Sequence, residues 1–427
     1  MIRRIVSRRE ILIAAGSVPA SLLAPRFISA ASHGSTHNVK ALLDRYVDQK
    51  KFAGAVAALG NREGSIYIDS GHIAFSDEAV LASPESLWRI YSMTKLVTGA
   101  AAMLLIEDGK LTLETPVAEI FPSFASPQVL VGSGSEMRPA RTAMTVRHLM
   151  THTSGLVGSM VPEPPLSIFY ADRKLNVSRV SLEEDAKAEH QTSLLAFAAQ
   201  AGTVPLAFDP GAHWSYGISS DVLGGAIEKV VGVAFARFLE ERIFRPLGMV
   251  DTGFHVTGEK VRRFATSYQV SADSLTAIDT PPESIFAKPP PFPYPSSGLV
   301  SSARDFAQLA GMLLGEGTLN GRRVMATRTA RLMMSNLLPS GVTALGQGWG
   351  AGGLVLLNPR AEPTPFGPTQ GTYGWQGAAG TVAWVDRVRG IYAVLMTQYM
   401  PTEAYQLPSE FSAAIYADAP ERRLSHP

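Results

Sequence analysis

The chain opens its patterned part with apolar residues at Val39, Leu42, Leu43, Tyr46 and Val47, a 3.6-residue spacing that predicts an amphipathic helix. Two short runs follow, Gly54 to Leu59 and Ser65 to Ile68, separated by the turn-forming Asn61-Arg62-Glu63-Gly64. They predict a β-hairpin. Near the other end, Thr381 to Val385 and Ile391 to Met396 flank a polar turn through Arg387 and Gly390, and a last helix is expected from Pro408 to Ala417. Between these ends helical pattern dominates. Met93 to Asp108 is apolar on nearly every side, which predicts a helix buried all round and ended by Gly109. Arg147 to Thr151, Asp221 to Val230 and Phe235 to Phe244 also read as helices. The segment Thr280 to Pro295 holds seven prolines and reads as an extended return loop rather than a docking peptide.

This arrangement predicts a mixed α+β fold. An antiparallel sheet flanked by helices is built from both termini, with a mostly helical domain inserted between them. The expected boundaries are 36–90 and 296–420 for the sheet domain and 91–295 for the helical domain, with the active site at their interface. Residues 1–31 read as an export signal. Arg3, Arg4, Arg8 and Arg9 precede the apolar run Ile11 to Ala24, and Ser29-Ala30-Ala31 supplies small residues for cleavage near Ala31. Ser7-Arg8-Arg9-Glu10-Ile11-Leu12 is similar to a twin-arginine signal, which implies a periplasmic or secreted protein. No later segment reads as a membrane span.

Composition narrows the chemistry. With 427 residues and 46% hydrophobic content the chain can bury a large core. Its 38 basic residues nearly balance 37 acidic ones, and no basic stripe marks a nucleic-acid partner. The absence of cysteine excludes thiolate nucleophiles, disulfides and cysteine-ligated zinc. His148 and His152 are four apart but lack the glutamate of a metalloprotease helix, so neither a metal nor a cofactor is expected. His152 as a general base would require a Ser-His-Asp enzyme. No G-x-S-x-G elbow occurs, and this histidine reads as hydrogen-bonded in a loop.

The candidate chemistry starts at Ser92-Met93-Thr94-Lys95, at the start of the buried helix. Residues three apart share a helix face, so hydroxyl and amine can touch. A serine hydroxyl needs a base to become a nucleophile. Burial in an apolar helix disfavours the charged form of a lysine and so can make it one. The helix N-terminus adds positive potential where an oxyanion would form. Alone, a serine and a lysine three apart are common. Downstream, however, lie Pro210-Gly211-Ala212-His213-Trp214-Ser215-Tyr216-Gly217-Ile218 and Gly374-Trp375-Gln376-Gly377-Ala378-Ala379-Gly380-Thr381.

With these, the chain resembles the serine β-lactamase and penicillin-binding-protein superfamily, in its class C-like branch, and most of all the family VIII carboxylesterases. Supporting stretches are Arg89 to Lys95, Leu149-Met150-Thr151-His152-Thr153-Ser154-Gly155-Leu156, Asp221-Val222-Leu223-Gly224, Pro246-Leu247-Gly248-Met249 and Ser297-Gly298-Leu299-Val300-Ser301, spread over residues 36 to 415. The resemblance implies Ser92 as nucleophile, with Lys95 and Tyr216 as proton-handling partners. It also implies an oxyanion hole from the backbone N–H groups of Ser92 and Ala378. Which of Lys95 and Tyr216 takes the first proton stays open. Two departures matter. Ile218 stands where class C enzymes carry an asparagine, and Trp375-Gln376-Gly377 replaces their Lys-Thr-Gly. The lost lysine normally meets the carboxylate of a lactam, while Trp375 offers an apolar surface. Trp375, Gln376, Gly377 and Ile218 are therefore expected at the substrate.

The expected substrate is a small ester or lactam, with oligomeric state left open. An esterase for short-chain or aromatic esters comes first. A β-lactamase or D-amino-acid peptidase is the alternative, and a penicillin-binding sensor without turnover is the third. The polar stretch Pro162 to Ala188 reads equally as a wall of the acyl pocket or a surface insertion.

Overall fold

The computed structural model describes residues 36–418, apart from residues 77, 133, 135, 159–163, 273 and 360–363. The export segment expected over residues 1–31 lies outside the described residues.

Helix α1 (His37–Asp48) buries Val39, Leu42, Leu43 and Tyr46 on one face, as its spacing requires. Strands β1 (Gly54–Gly60) and β2 (Ser65–Gly71) form the first hairpin, paired from Gly54 with Gly71 to Gly60 with Ser65. The chain returns to the same sheet as β3 (Gly348–Trp349), β4 (Leu354–Val355), β5 (Tyr373–Gly377), β6 (Thr381–Asp386) and β7 (Ile391–Met396). The order across this sheet is β3-β4-β5-β6-β7-β1-β2, antiparallel throughout. The two ends of the chain meet where β1 pairs with β7, Val56 opposite Met396.

All six residues of β6 are buried, because helices cover both faces of the sheet. Trp384 stacks on Tyr416 of the last helix (Leu407–Asp418), ring centroids 5.7 Å apart. Its neighbours Ala383 and Val385 point to the other face, where Phe306, Leu309 and Leu313 of the helix Ala303–Leu314 lie.

Helix α2 (Thr94–Glu107) follows a 3₁₀ turn at Tyr91–Met93, and every residue from Thr94 to Leu105 is buried. A helix with no solvated face reads as the continuous apolar run seen in the sequence. Gly99 is required within it, since a Cβ there would overlap the Ala351 carbonyl. Helix α3 (Ser219–Val231) packs against α2 and ends at Gly232, whose φ is +72°. The expected single helix at Phe235–Phe244 divides into an α segment, Phe235–Leu239, and a π turn, Glu240–Phe244, just before Pro246, which has no N–H to continue an α ladder.

The approach to α2 is anchored by a buried ion pair. Arg89, at the end of a short strand Leu87–Arg89 paired with Val300–Ser302, donates from Nε to Asp279 Oδ2 at 2.7 Å. It also reaches Gln398 Oε1 at 2.9 Å and Ser284 Oγ at 3.1 Å, and Phe264 covers its guanidinium. The proline-rich return carries a 3₁₀ turn at Ile285–Ala287 and a second turn closed on the Tyr294 carbonyl, and delivers Ser296 to the start of α2. No helix among the described residues is long and apolar enough to cross a membrane.

Candidate active site

Ser92 sits in the tight turn that leads into α2, partly open to solvent, while Tyr91 before it and Met93 after it are buried. Tyr91 has φ of +41°, a left-handed conformation that costs a non-glycine residue about 1–3 kcal/mol and persists only where packing enforces it. Here Tyr91 is buried edge-on against Phe286, and Arg89 two residues earlier is fixed by Asp279.

One helical turn on, Lys95 is almost wholly buried. Its Nζ donates to Ser92 Oγ at 3.2 Å and to the Ser296 carbonyl at 2.9 Å. The same Nζ stands 4.4 Å from the centroid of the Tyr216 ring, within cation–π range. The structure thus brings together the serine, lysine and tyrosine from three separate stretches. Tyr216 meets Lys95 through its ring face, while its hydroxyl oxygen accepts the indole N–H of Trp375 at 3.0 Å.

Trp375 lies in the middle of β5 and is buried in an aromatic cluster. Its ring centroid is 4.5 Å from that of Trp349 and 5.6 Å from that of Tyr216. Gly377 closes the strand against the Ser92 turn, and a Cβ there would overlap the carbonyl oxygen of Ile90. Ala378, the next residue along the chain, is exposed. Gln376 alternates away from Trp375 along β5 and stays partly exposed. Ile218 is placed differently from these. It is fully buried at the start of α3, in the main core, and its N–H donates to the Val157 carbonyl at 3.4 Å.

His152 is buried in the turn that supports Tyr216. Its Nδ1 accepts the Gly217 N–H at 3.3 Å, and its ring lies 4.8 Å from the Tyr216 ring. Burial, with the nearby Lys95 charge, pushes its pKa well below the ordinary value, so it is neutral. The described part of the insertion ahead of residue 188 forms two short helices, Leu166–Asp172 and Leu182–Lys187. Tyr170 of the first accepts the Val157 N–H at 3.0 Å.

Sequence reasoning missed Trp349, Asp221 and Ser296 as parts of this site. Trp349 stands in a two-residue strand with no periodicity. Asp221 reads as an acidic residue in a helix's first turn. Ser296 acts through its backbone, which leaves no side-chain signature; its place directly after the proline run was the only signal.

The sequence matches the Beta-lactamase family over residues 39–416. Esterase EstB of Burkholderia gladioli is 29% identical over 397 residues, covering 88% of this chain and 94% of EstB. Protein Rv1367c of Mycobacterium tuberculosis is 31% identical over 369 residues, 83% of this chain and 88% of its own length. Among solved structures, EstCE1, a hydrolase with promiscuous acyltransferase activity, shares the fold with a TM-score of 0.74 at 23% identity, covering 89% of this chain and 98% of its own. A family VIII carboxylesterase shares it with a TM-score of 0.67 at 18% identity, covering 90% and 97%. With nearly all of the described residues matched, and a serine and lysine in contact at the head of a buried helix, the chain belongs to the beta-lactamase family of serine hydrolases.

Proposed function

We propose that the protein is a carboxylesterase for short-chain or aromatic esters that works through an acyl-enzyme on Ser92. The observation that carries this reading is the Lys95 Nζ, bonded to Ser92 Oγ at 3.2 Å and lying over the Tyr216 ring at 4.4 Å. Ser92 Oγ attacks the ester carbonyl carbon as its proton passes to the Lys95–Tyr216 pair. The carbonyl electrons move to the oxygen, which faces the N–H groups of Ser92 and Ala378. Collapse breaks the bond to the alcohol oxygen, which leaves with that proton. Water then attacks the acyl-enzyme by the same route and restores Ser92.

The ester preference follows from Trp375. An apolar indole occupies the place where a class C enzyme has a lysine for a carboxylate, and its N–H is already engaged by Tyr216. EstB, a relative matched over most of its length, is named an esterase. Steady-state assays of the wild type and Ser92→Ala with p-nitrophenyl butyrate and nitrocefin test the proposal. Ester turnover should dominate and vanish in Ser92→Ala. Equal rates in the two proteins would overturn it. Dominant nitrocefin turnover would favour the β-lactamase or peptidase reading, and stoichiometric labelling of Ser92 without turnover a sensor.

Export is part of the same proposal. N-terminal sequencing of protein from the periplasmic fraction should begin near Ala31, and an uncleaved cytoplasmic chain would refute this.

A further inference from the structure

We infer that Asp221 is a positioning residue for Lys95: it holds Ser296, whose carbonyl accepts the Lys95 Nζ, and its buried carboxylate acts on that Nζ electrostatically, beyond ion-pair contact. This rests on the serine-hydrolase reading of the site. Asp221 lies in the first turn of α3 and is fully buried. Its Oδ1 accepts the Ser296 N–H at 3.0 Å, and the carbonyl of that same residue accepts Lys95 Nζ at 2.9 Å.

The dipeptide Pro295-Ser296 is clamped from both sides. Thr98 of α2 donates to the Pro295 carbonyl at 2.6 Å, and the Pro295 ring presses on Gly224 of α3, where a Cβ would overlap it. Lys95, Thr98, Asp221 and Gly224 therefore fix one short stretch of backbone, and that backbone aims the lysine at Ser92. A structural tether would need only one neutral acceptor. Asp221 instead buries a charge, and its Oδ2 is a buried oxygen without a hydrogen-bond partner. Such burial is costly unless an opposite charge stands nearby.

Charged and titratable groups bear on Asp221 from two neighbouring segments. From α2 it is Lys95, whose charge acts on the carboxylate, and from the return loop it is Tyr294, whose phenol feels Asp221. The neutral His152 comes within 3.4 Å of Ser220, the residue before Asp221. Of the other helices packed on α3, Leu194–Ala201 carries no titratable residue, whereas Val146–Met150 carries Arg147 and His148, Phe235–Leu239 carries Arg237 and Val117–Ile120 carries Glu119. Burial raises the Asp221 carboxyl to about 6, with Lys95 and the Ser296 N–H opposing the rise. Acidification through that value removes the charge acting on Lys95.

Asp221→Asn keeps the size and the acceptor for Ser296 but deletes the charge. Its kcat should fall roughly tenfold to a hundredfold with KM little changed, the scale of losing exact placement of a reacting group. The acid limb of the wild-type profile, near pH 6, should also disappear. A tether alone predicts the opposite, so wild-type kcat, or a uniform loss with the acid limb intact, overturns the inference. Should the variant not fold, single-turnover acylation of the wild type decides. A rate that is flat between neutral pH and roughly pH 5 refutes the inference. A rate that falls, with the same limb in Thr98→Val, which loosens the clamp without touching the charge, supports it. Ser92→Ala is run alongside. Activity surviving there defeats the serine-hydrolase reading itself, whereas loss there with an unaffected Asp221→Asn defeats only this inference.

Discussion

Trp375 donates its indole N–H to the Tyr216 phenol oxygen at 3.0 Å, and the Tyr216 ring lies 4.4 Å from the Lys95 ammonium. The donor is aimed at the atom that would bear negative charge whenever Tyr216 gives up its proton. A hydrogen bond to a charged partner contributes about 1.5–3 kcal/mol, which is roughly tenfold to a hundredfold in rate. Trp375→Phe keeps an aromatic ring in the cluster but removes that N–H. Its kcat on p-nitrophenyl butyrate should fall by that range while its Tm holds within a few degrees. An unchanged kcat would show that Trp375 only packs.

His152 makes stability depend on acid in a defined direction. In the unfolded chain an imidazole titrates near 6.5, whereas in the fold burial and Lys95 hold it well below. Below the unfolded value the unfolded state binds the extra proton, so stability falls as pH is lowered, until the folded pKa is reached. Asp221 and Asp305 act the other way. Each titrates near 6 when folded against 3.8 when exposed, so the folded state gains protons on acidification. His152 also has φ of +57°, which asparagine tolerates. His152→Asn should therefore lose less Tm than the wild type as pH drops from neutral to roughly 5. Parallel Tm curves for the two proteins would refute this.

Periodicity carried the elements that bury one face or all faces. The spacing of Val39, Leu42, Leu43 and Tyr46 marks the first helix, and the unbroken apolar run after Ser92 marks α2. Register with distant partners is not local, and so β3 and β4, two residues each, left no pattern to read. The same holds in the site. Ser92 and Lys95 are legible because three residues of helix set their contact. Tyr216 and Trp375 needed the resemblance, because 159 residues separate the two partners of their hydrogen bond. Asp221 stood in a quoted stretch yet looked like a helix-start acid favoured by the dipole. Ile218, expected at the substrate, is a fully buried residue at the start of α3.

Arg89 and Asp279 are both buried, and their pairing fixes the strand that runs into the Ser92 turn. Asp279→Asn leaves the guanidinium without its counter-charge. Breaking one side of a buried pair costs about 3–5 kcal/mol, because the remaining charge stays in the core. Urea unfolding should show a midpoint lowered by that free energy divided by an unchanged m-value. A midpoint equal to wild type would mean that Gln398, Ser284 and the Ala265 carbonyl suffice to hold Arg89.

Gly377 links the sheet to the turn that carries Ser92 through bare backbone. A methyl group on it would meet the Ile90 carbonyl oxygen and the Thr381 hydroxyl, so Gly377→Ala must push β5 away from the turn that carries Ser92. The displaced group is the N–H of Ala378, one of the two donors proposed for the oxyanion. Loss of one such donor costs about a hundredfold to a thousandfold in kcat. The clash falls on the last pair of the β5–β6 ladder, and the pairs from Tyr373 with Val385 to Gln376 with Val382 lie away from it, so the fold should survive. The expected result is a variant with a modest drop in Tm and a kcat lower by at least about a hundredfold. KM should change little, since the donor acts on charge that appears only as the bond forms. If kcat held while Tm fell, Gly377 would be a packing residue and the oxyanion donors would lie elsewhere on the Ser92 turn.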